Sequence, residues 1–242
     1  DNIGKAFARF RPDIHCIERD NVPRGGTLYM VCDPAGARNW FCLWLLAYED
    51  GKRIVVREFP DFSNYGEWVL PSEKPDGKAG PAQTLDAGRS ISEYRNLFRT
   101  IEAELGYGEP VMRLIDPKAG GSPALSEQGG TTLIDLLAES ENPLDEPMAF
   151  IPAPGVPVDQ RTSAINSLLS YDATQPLTPL NEPSLYITKD CSNLTYALSE
   201  HTGRDGQKGA SKDPIDCLGM LLVSGLAYVG NGGFNSRGGG GY

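Results

Sequence analysis

Three short apolar runs follow one another between residues 27 and 59, and they limit the fold more than any other feature of the chain. They are Leu28 to Cys32, Phe41 to Ala47 and Arg53 to Phe59 (RIVVREF). Each has the length of a strand rather than a helix, and Glu49-Asp50-Gly51-Lys52 supplies turn chemistry ahead of the third. Consecutive strands on short connections predict an antiparallel meander. With 40% hydrophobic residues in 242, the chain can bury the core of one large domain. Its longest apolar stretches fall well short of the roughly 20 residues of a spanning helix. No charged-then-apolar leader opens it, so a soluble protein with no membrane partner is expected.

Beyond the meander the pattern changes period. Residues 60 to 90 are rich in Pro, Gly and Asp and form a long connection of open role. Ile91, Tyr94, Leu97, Phe98, Ile101 and Leu105 then recur at helical spacing and stop at Gly106. A fourth strand is predicted at Val111 to Ile115, a short helix at Thr132 to Ser140 and a strand near Met148 to Ile151. The stretch Gln160 to Ser170 carries apolar Ile165, Leu168 and Leu169. A strand at Leu185 to Thr188 and helices at Ser192 to His201 and Pro214 to Ala227 complete the reading. Antiparallel strands followed by alternating helix and strand make an α/β mixed sheet. Residues 1–26 read as an arm or linker, opening at Asp1 as an excised piece of a longer protein would. Residues 27–230 read as the domain, and the Gly-rich 231–242 as a flexible tail.

The titratable residues narrow the chemistry. Cys16, Cys32, Cys42, Cys191 and Cys217 show no CxxC pair, so neither a disulfide framework nor a structural zinc site is indicated, and a reducing compartment is expected. His15 and His201 lie far apart, so any bound metal would rest on carboxylates and be a hard ion such as Mg2+ or Mn2+. The balance of 22 Lys+Arg against 32 Asp+Glu, a charge of −10, argues at face value against nucleic acid.

Among the acids, Asp33 ends the first strand (LYMVC-D-PAGA) and Asp116 ends the fourth (VMRLI-D-PKAG). An Asp-Pro after a strand can simply start a turn, but here two strands each deliver a carboxylate to a sheet edge. Asp213 reads as an N-cap with Pro214 at the first helical position. Asp216 is harder to assign to structure, because Gly219, Met220 and Val223 share its face on an almost wholly apolar helix. A buried carboxylate is costly unless paired or bound to metal. Two strand-end aspartates and a third in the first turn of a late helix can converge on a two-metal phosphoryl-transfer site, which needs neither His nor Cys.

In the order and spacing of GTLYMVCDPAG, RLIDPKAG, LYITKDCSNLTYALSEHT and KGASKDPIDCLGMLL, the chain resembles the nuclease domain of the large terminase subunit of tailed bacteriophages, an RNase H-like fold. The resemblance spans roughly residues 1 to 228. It implies an RNase H-like mixed sheet, three antiparallel strands followed by parallel ones, flanked by helices. It also implies a metal-dependent endonuclease that cuts concatemeric double-stranded viral DNA during packaging in the cytoplasm of the infected bacterial host. Asp33 and Asp116 would be metal ligands, with Asp213, Asp216 or both supplying the last, around two Mg2+ or Mn2+ ions. The implied partners are double-stranded DNA, an ATPase domain upstream in the same polypeptide, the portal and the small terminase subunit. No GxxxxGK[ST] phosphate loop occurs in this chain.

The loop His201 to Lys212 places Arg204, Lys208 and Lys212 just before the late helix, where they could meet a DNA backbone, and Lys118 follows Asp116 closely enough to reach a phosphate. Trp40, Trp44 and Trp68 read as packing residues, and the Asn193-Leu194-Thr195 sequon as chance. Three rivals stand beside the terminase reading. They are a junction resolvase of the same superfamily, a non-catalytic structural module of a viral assembly whose aspartates only cap and turn, and a metal-free glycosidase using two of these acids.

Overall fold

Strand periodicity decides where this sequence puts its core. The computed structural model describes residues 4–34, 40–61, 89–121, 131–140, 146–203 and 212–230. In it β2 (Thr27–Asp33), β3 (Phe41–Ala47) and β4 (Arg53–Phe59) form the meander, β3 pairing antiparallel with both neighbours. Because these runs are apolar at almost every position, both sheet faces must be covered. Tyr29, Val31, Leu43, Leu45 and Val55 enter one core cluster. The intervening Leu28, Met30, Cys32, Cys42, Trp44 and Leu46 enter a second on the opposite face.

Four further strands extend the meander in parallel. β5 (Met112–Ile115) pairs with β2, and β6 (Ile151–Pro152) with β5; on the other side β7 (Leu185–Thr188) pairs with β4, and β1 (Cys16–Ile17) with β7. The result is a seven-stranded mixed sheet, β1-β7-β4-β3-β2-β5-β6. This is the α/β, RNase H-like sheet expected from the sequence.

Helices close both faces. α2 (Ile91–Leu105) starts in a reciprocal cap, Ser90 Oγ accepting from the Glu93 N–H while Glu93 accepts from the Ser90 N–H. It stops at Gly106, whose left-handed φ of 71° only glycine adopts without strain. Its Tyr94, Phe98 and Ile101 cover Trp44 and its neighbours, together with Leu137 of α4 (Leu133–Ala138). Trp40 stacks on Tyr94 with ring centroids 4.0 Å apart, and Trp44 donates to Glu102 at 3.3 Å, so both tryptophans are packing residues. On the other face lie α5 (Val158–Leu169), α6 (Ser192–Glu200) and α7 (Asp213–Leu222). α7 stops five residues short of the sequence expectation. Residues 224–230 instead run back along the sheet, where Ala227 O accepts from Tyr29 Oη and the Val229 N–H donates to Thr27 Oγ1.

Residues 4–26 differ from the arm expected of them. Phe7 and Phe10 lie in the core, α1 (Pro12–His15) leads into β1, and buried His15 bonds Leu169 O through Nε2 at 3.0 Å. Short apolar content spread among arginines hides this: the anchors are single residues, with no run long enough to give a period. Asn193 is fully buried, donating to Pro60 O, so its sequon is inaccessible in the folded chain. Trp68, nearly all of the 60–90 connection and the 231–242 tail lie outside the described residues.

Candidate active site

Asp33 and Asp116 are brought side by side by strand register. β2 and β5 run parallel with Cys32 opposite Ile115, so the next residue of each chain, an aspartate, leaves the sheet at the same edge. The Asp116 N–H donates to Cys32 O at 3.0 Å and extends the ladder to that edge. Pro34 and Pro117 follow, and neither can donate to a continuing ladder. Asp116 then caps α3 (Pro117–Gly120): its Oδ1 accepts from the N–H groups of Lys118 and Ala119, both at 2.9 Å. Its second carboxylate oxygen takes no part in these bonds.

The third strand position along this edge is taken by the segment after β6. There the Ala153 N–H donates to Ile115 O at 2.9 Å, and Pro154 to Pro157 turn the chain into α5. From the opposite side α7 brings Asp213 and Asp216. Asp213 is the first helical residue, with Lys212 in the cap position making no side-chain cap bond, so the N-cap role expected for Asp213 is not the one it fills. It is 6% exposed and stands in a first turn whose N–H groups favour negative charge. Asp216 pairs with Arg161 of α5 at 3.3 Å and with Lys212.

These elements enclose a cavity of about 650 Å³ lined by Asp33, Asp116, Lys118, Arg161, Lys212 and Asp216. Its electrostatics are unbalanced at one point. Burial, and after it the charges of Asp213, Asp116 and Asp216, push the Asp33 carboxyl up to about 7. Burial lowers the affinity of Lys212 for its proton, but its bond to Asp216 and the charges of Asp216, Asp213 and Asp33 outweigh this and hold it above the usual lysine range. Burial also raises the nearby Cys42 and Cys217 thiols well above their normal range, so neither offers a thiolate ligand. The donor set is therefore all carboxylate oxygen, the chemistry of a hard divalent cation. Among the described residues no three His, Cys, Asp or Glu side chains form a preformed cage. Asp116 is turned toward its cap, and Asp216 toward Arg161 and Lys212.

Over 90% of its length the chain superposes on 44% of the large terminase from a thermophilic bacteriophage, with a TM-score of 0.53 and 14% identity. Against the same protein in complex with ATP-γ-S the TM-score is 0.56 at 13% identity, covering 91% of this chain and 45% of that one. The shared feature is the fold. The chain spans less than half the length of these structures. No protein-family model matches the sequence, and no curated protein sequence does.

Of the residues picked out in the sequence, the structure brings Asp33, Asp116, Asp216, Lys118 and Lys212 to the walls of one cavity, with Asp213 buried beside them. Arg204 and Lys208 lie outside the described residues. Arg161 and the Pro154–Pro157 turn are additions that the sequence did not single out. The turn carries a signal in retrospect, three prolines and a glycine within PAPGVP. Arg161 carries none, since one arginine in an amphipathic helix looks like any solvated charge. Among the described residues no helix is long and apolar enough to cross a membrane.

Proposed function

We propose that this chain is a divalent-metal-dependent endonuclease acting on double-stranded DNA. In this reading it is the nuclease part of a phage large terminase, cutting concatemeric viral DNA during packaging in the cytoplasm of the infected bacterial host. One observation carries it: Asp33 and Asp116 leave adjacent parallel strands in register, at the mouth of a cavity closed by the first turn of α7. The fold shared with a phage large terminase supports the same reading.

Asp33 and Asp116, with Asp213 and Asp216, would hold two Mg2+ or Mn2+ ions. Bound there, divalent cations supply a nucleophile from water and stabilise the leaving 3′ oxygen of the cut strand. The protein's part is positional. Strand register fixes the spacing of Asp33 and Asp116, and the α3 cap fixes the orientation of Asp116 through one oxygen, leaving the other for the cavity. Partial burial of Asp33 strengthens its interaction with a cation. Lys118 and Lys212, beside the acids, would meet backbone phosphates, with Arg204 and Lys208 continuing that contact along the same loop. An upstream ATPase domain, the portal and the small terminase subunit would be the partners in packaging.

The direct test is a plasmid-nicking assay. Mn2+ or Mg2+ should support nicking or linearisation, chelator should abolish it, and Asp33→Asn and Asp116→Asn should each lose at least about a hundredfold in rate while melting as the parent does. Cutting retained by both variants would overturn the assignment. One observation favours a second reading: Asp116 already fills a complete structural role as the cap of α3. A non-catalytic module of a viral assembly would use it in that way alone, and would take up no Mn2+ in a calorimetric titration.

A further inference from the structure

Arg161 is built into the cavity wall more firmly than a surface arginine. Its stem lies flat on α7 because position 219 is glycine: a Cβ there would fall 2.8 Å from Arg161 Cβ and 3.1 Å from Cδ. The guanidinium therefore emerges at a fixed place, one turn before Gly219, where Asp216 Oδ1 lies 3.3 Å away. That is its one ion pair among the described residues, and its Nε is buried without a hydrogen-bond partner. The side chain is 18% exposed, and what remains open faces the cavity that Asp33 and Asp116 line. A guanidinium carries five N–H donors in a planar fork matched to carboxylate or phosphate. Among the described residues this one has a single ion-pair contact, too long for a strong hydrogen bond, on the wall of the cavity of about 650 Å³.

We propose that Arg161 is a positioning residue that takes a backbone phosphate of the DNA strand entering the cavity, and that Asp216 is its resting partner in the absence of DNA. The proposal rests on the nuclease reading for the identity of the strand, but its chemistry is that of a phosphodiester anion replacing a carboxylate on a preset fork. Packing of the stem against Gly219 limits the ordering cost of binding. The exchange leaves Asp216 with Lys212 as its remaining ion-pair partner among the described residues.

The test separates the two readings by removing metal. Binding of a labelled DNA duplex to the full chain is measured in chelator over a range of salt, alongside Mn2+ titration without DNA and single-turnover cleavage in Mn2+. Arg161→Ala should weaken duplex binding about tenfold regardless of sequence and lower the slope of log affinity against log salt by about one. Arg161→Lys should restore the slope but only part of the affinity, because the charge returns without the fork. Asp216→Asn should tighten binding in chelator, and that gain should shrink in the double variant with Arg161→Ala, leaving only the share due to Lys212, the other partner of Asp216. Mn2+ uptake by Arg161→Ala should be unchanged or tighter. An unchanged salt slope in Arg161→Ala, additivity in the double variant or weakened Mn2+ uptake would each overturn the proposal, as would a wild-type chain that binds no duplex. Should Arg161→Ala melt early, Arg161→Gln, which keeps most of the stem and removes the charge, takes its place alone and in the double variant. If the wild type binds DNA but takes up no Mn2+ and cuts nothing, the nuclease reading fails, while the comparison in chelator still tells whether Arg161 holds phosphate.

Discussion

Asp116 has one structural role, and the proposed metal site would give it a second that different substitutions pull apart. Its Oδ1 caps α3 through two N–H groups, a job asparagine can also do, whereas metal binding needs the full carboxylate charge. Asp116→Asn should therefore keep the parent's stability and lose Mn2+ uptake, while Asp116→Ala should lose uptake and also about 1 kcal/mol of stability. Denaturant midpoints and a Mn2+ titration on the two variants check this. The position of Asp116 was legible in the sequence, because an apolar run ending in Asp-Pro reads as a strand end. Its neighbourhood to Asp33 was not, since 83 residues separate them and only register brings them together.

At the scale of elements, α6 has an unusual start. Its cap residue, Cys191, makes no side-chain cap bond, and the first N–H groups are satisfied from another element. Glu58 of β4 accepts from the N–H groups of Asn193 and Leu194, both at 2.8 Å. Burial nevertheless dominates those two bonds and raises the Glu58 carboxyl to about 8, with Asp61 and Asp190 adding to the rise. Since the group binds its proton more tightly folded than unfolded, its contribution to stability is complete below about pH 4.5 and is lost as pH rises toward 8. Urea midpoints measured at pH 5 and pH 8 should fall more for the parent than for Glu58→Gln. Strands and helices are legible where they carry a long period: α2 runs from Ile91 and stops at Gly106, as the spacing of its apolar residues predicts. β1 is not, because two residues at a sheet edge contain no period.

At the scale of the whole molecule, the first described residues are part of the core. Phe7 is 2% exposed within a cluster that includes Leu194, Ala197 and Leu198, so Phe7→Ala should cost about 3–5 kcal/mol. An unchanged melting temperature would contradict this. The charge of −10 works against the proposed binding of DNA. Cations at the acid cluster would offset part of it, and the basic groups at the cavity act over a Debye length of about 10 Å in ordinary salt. Duplex binding by this chain should be weak and fall steeply as salt rises, as a filter or anisotropy titration would show. Alternating apolar and turn chemistry determined the strands and long helices, because local period and propensity act within a few residues of one another. Register, the pairing of α5 with α7 and the placing of Arg161 were decided by the tertiary structure alone. Each is set by which surfaces fit together once both faces of the sheet must be covered, and that fit joins residues too far apart in the chain for any local pattern to record.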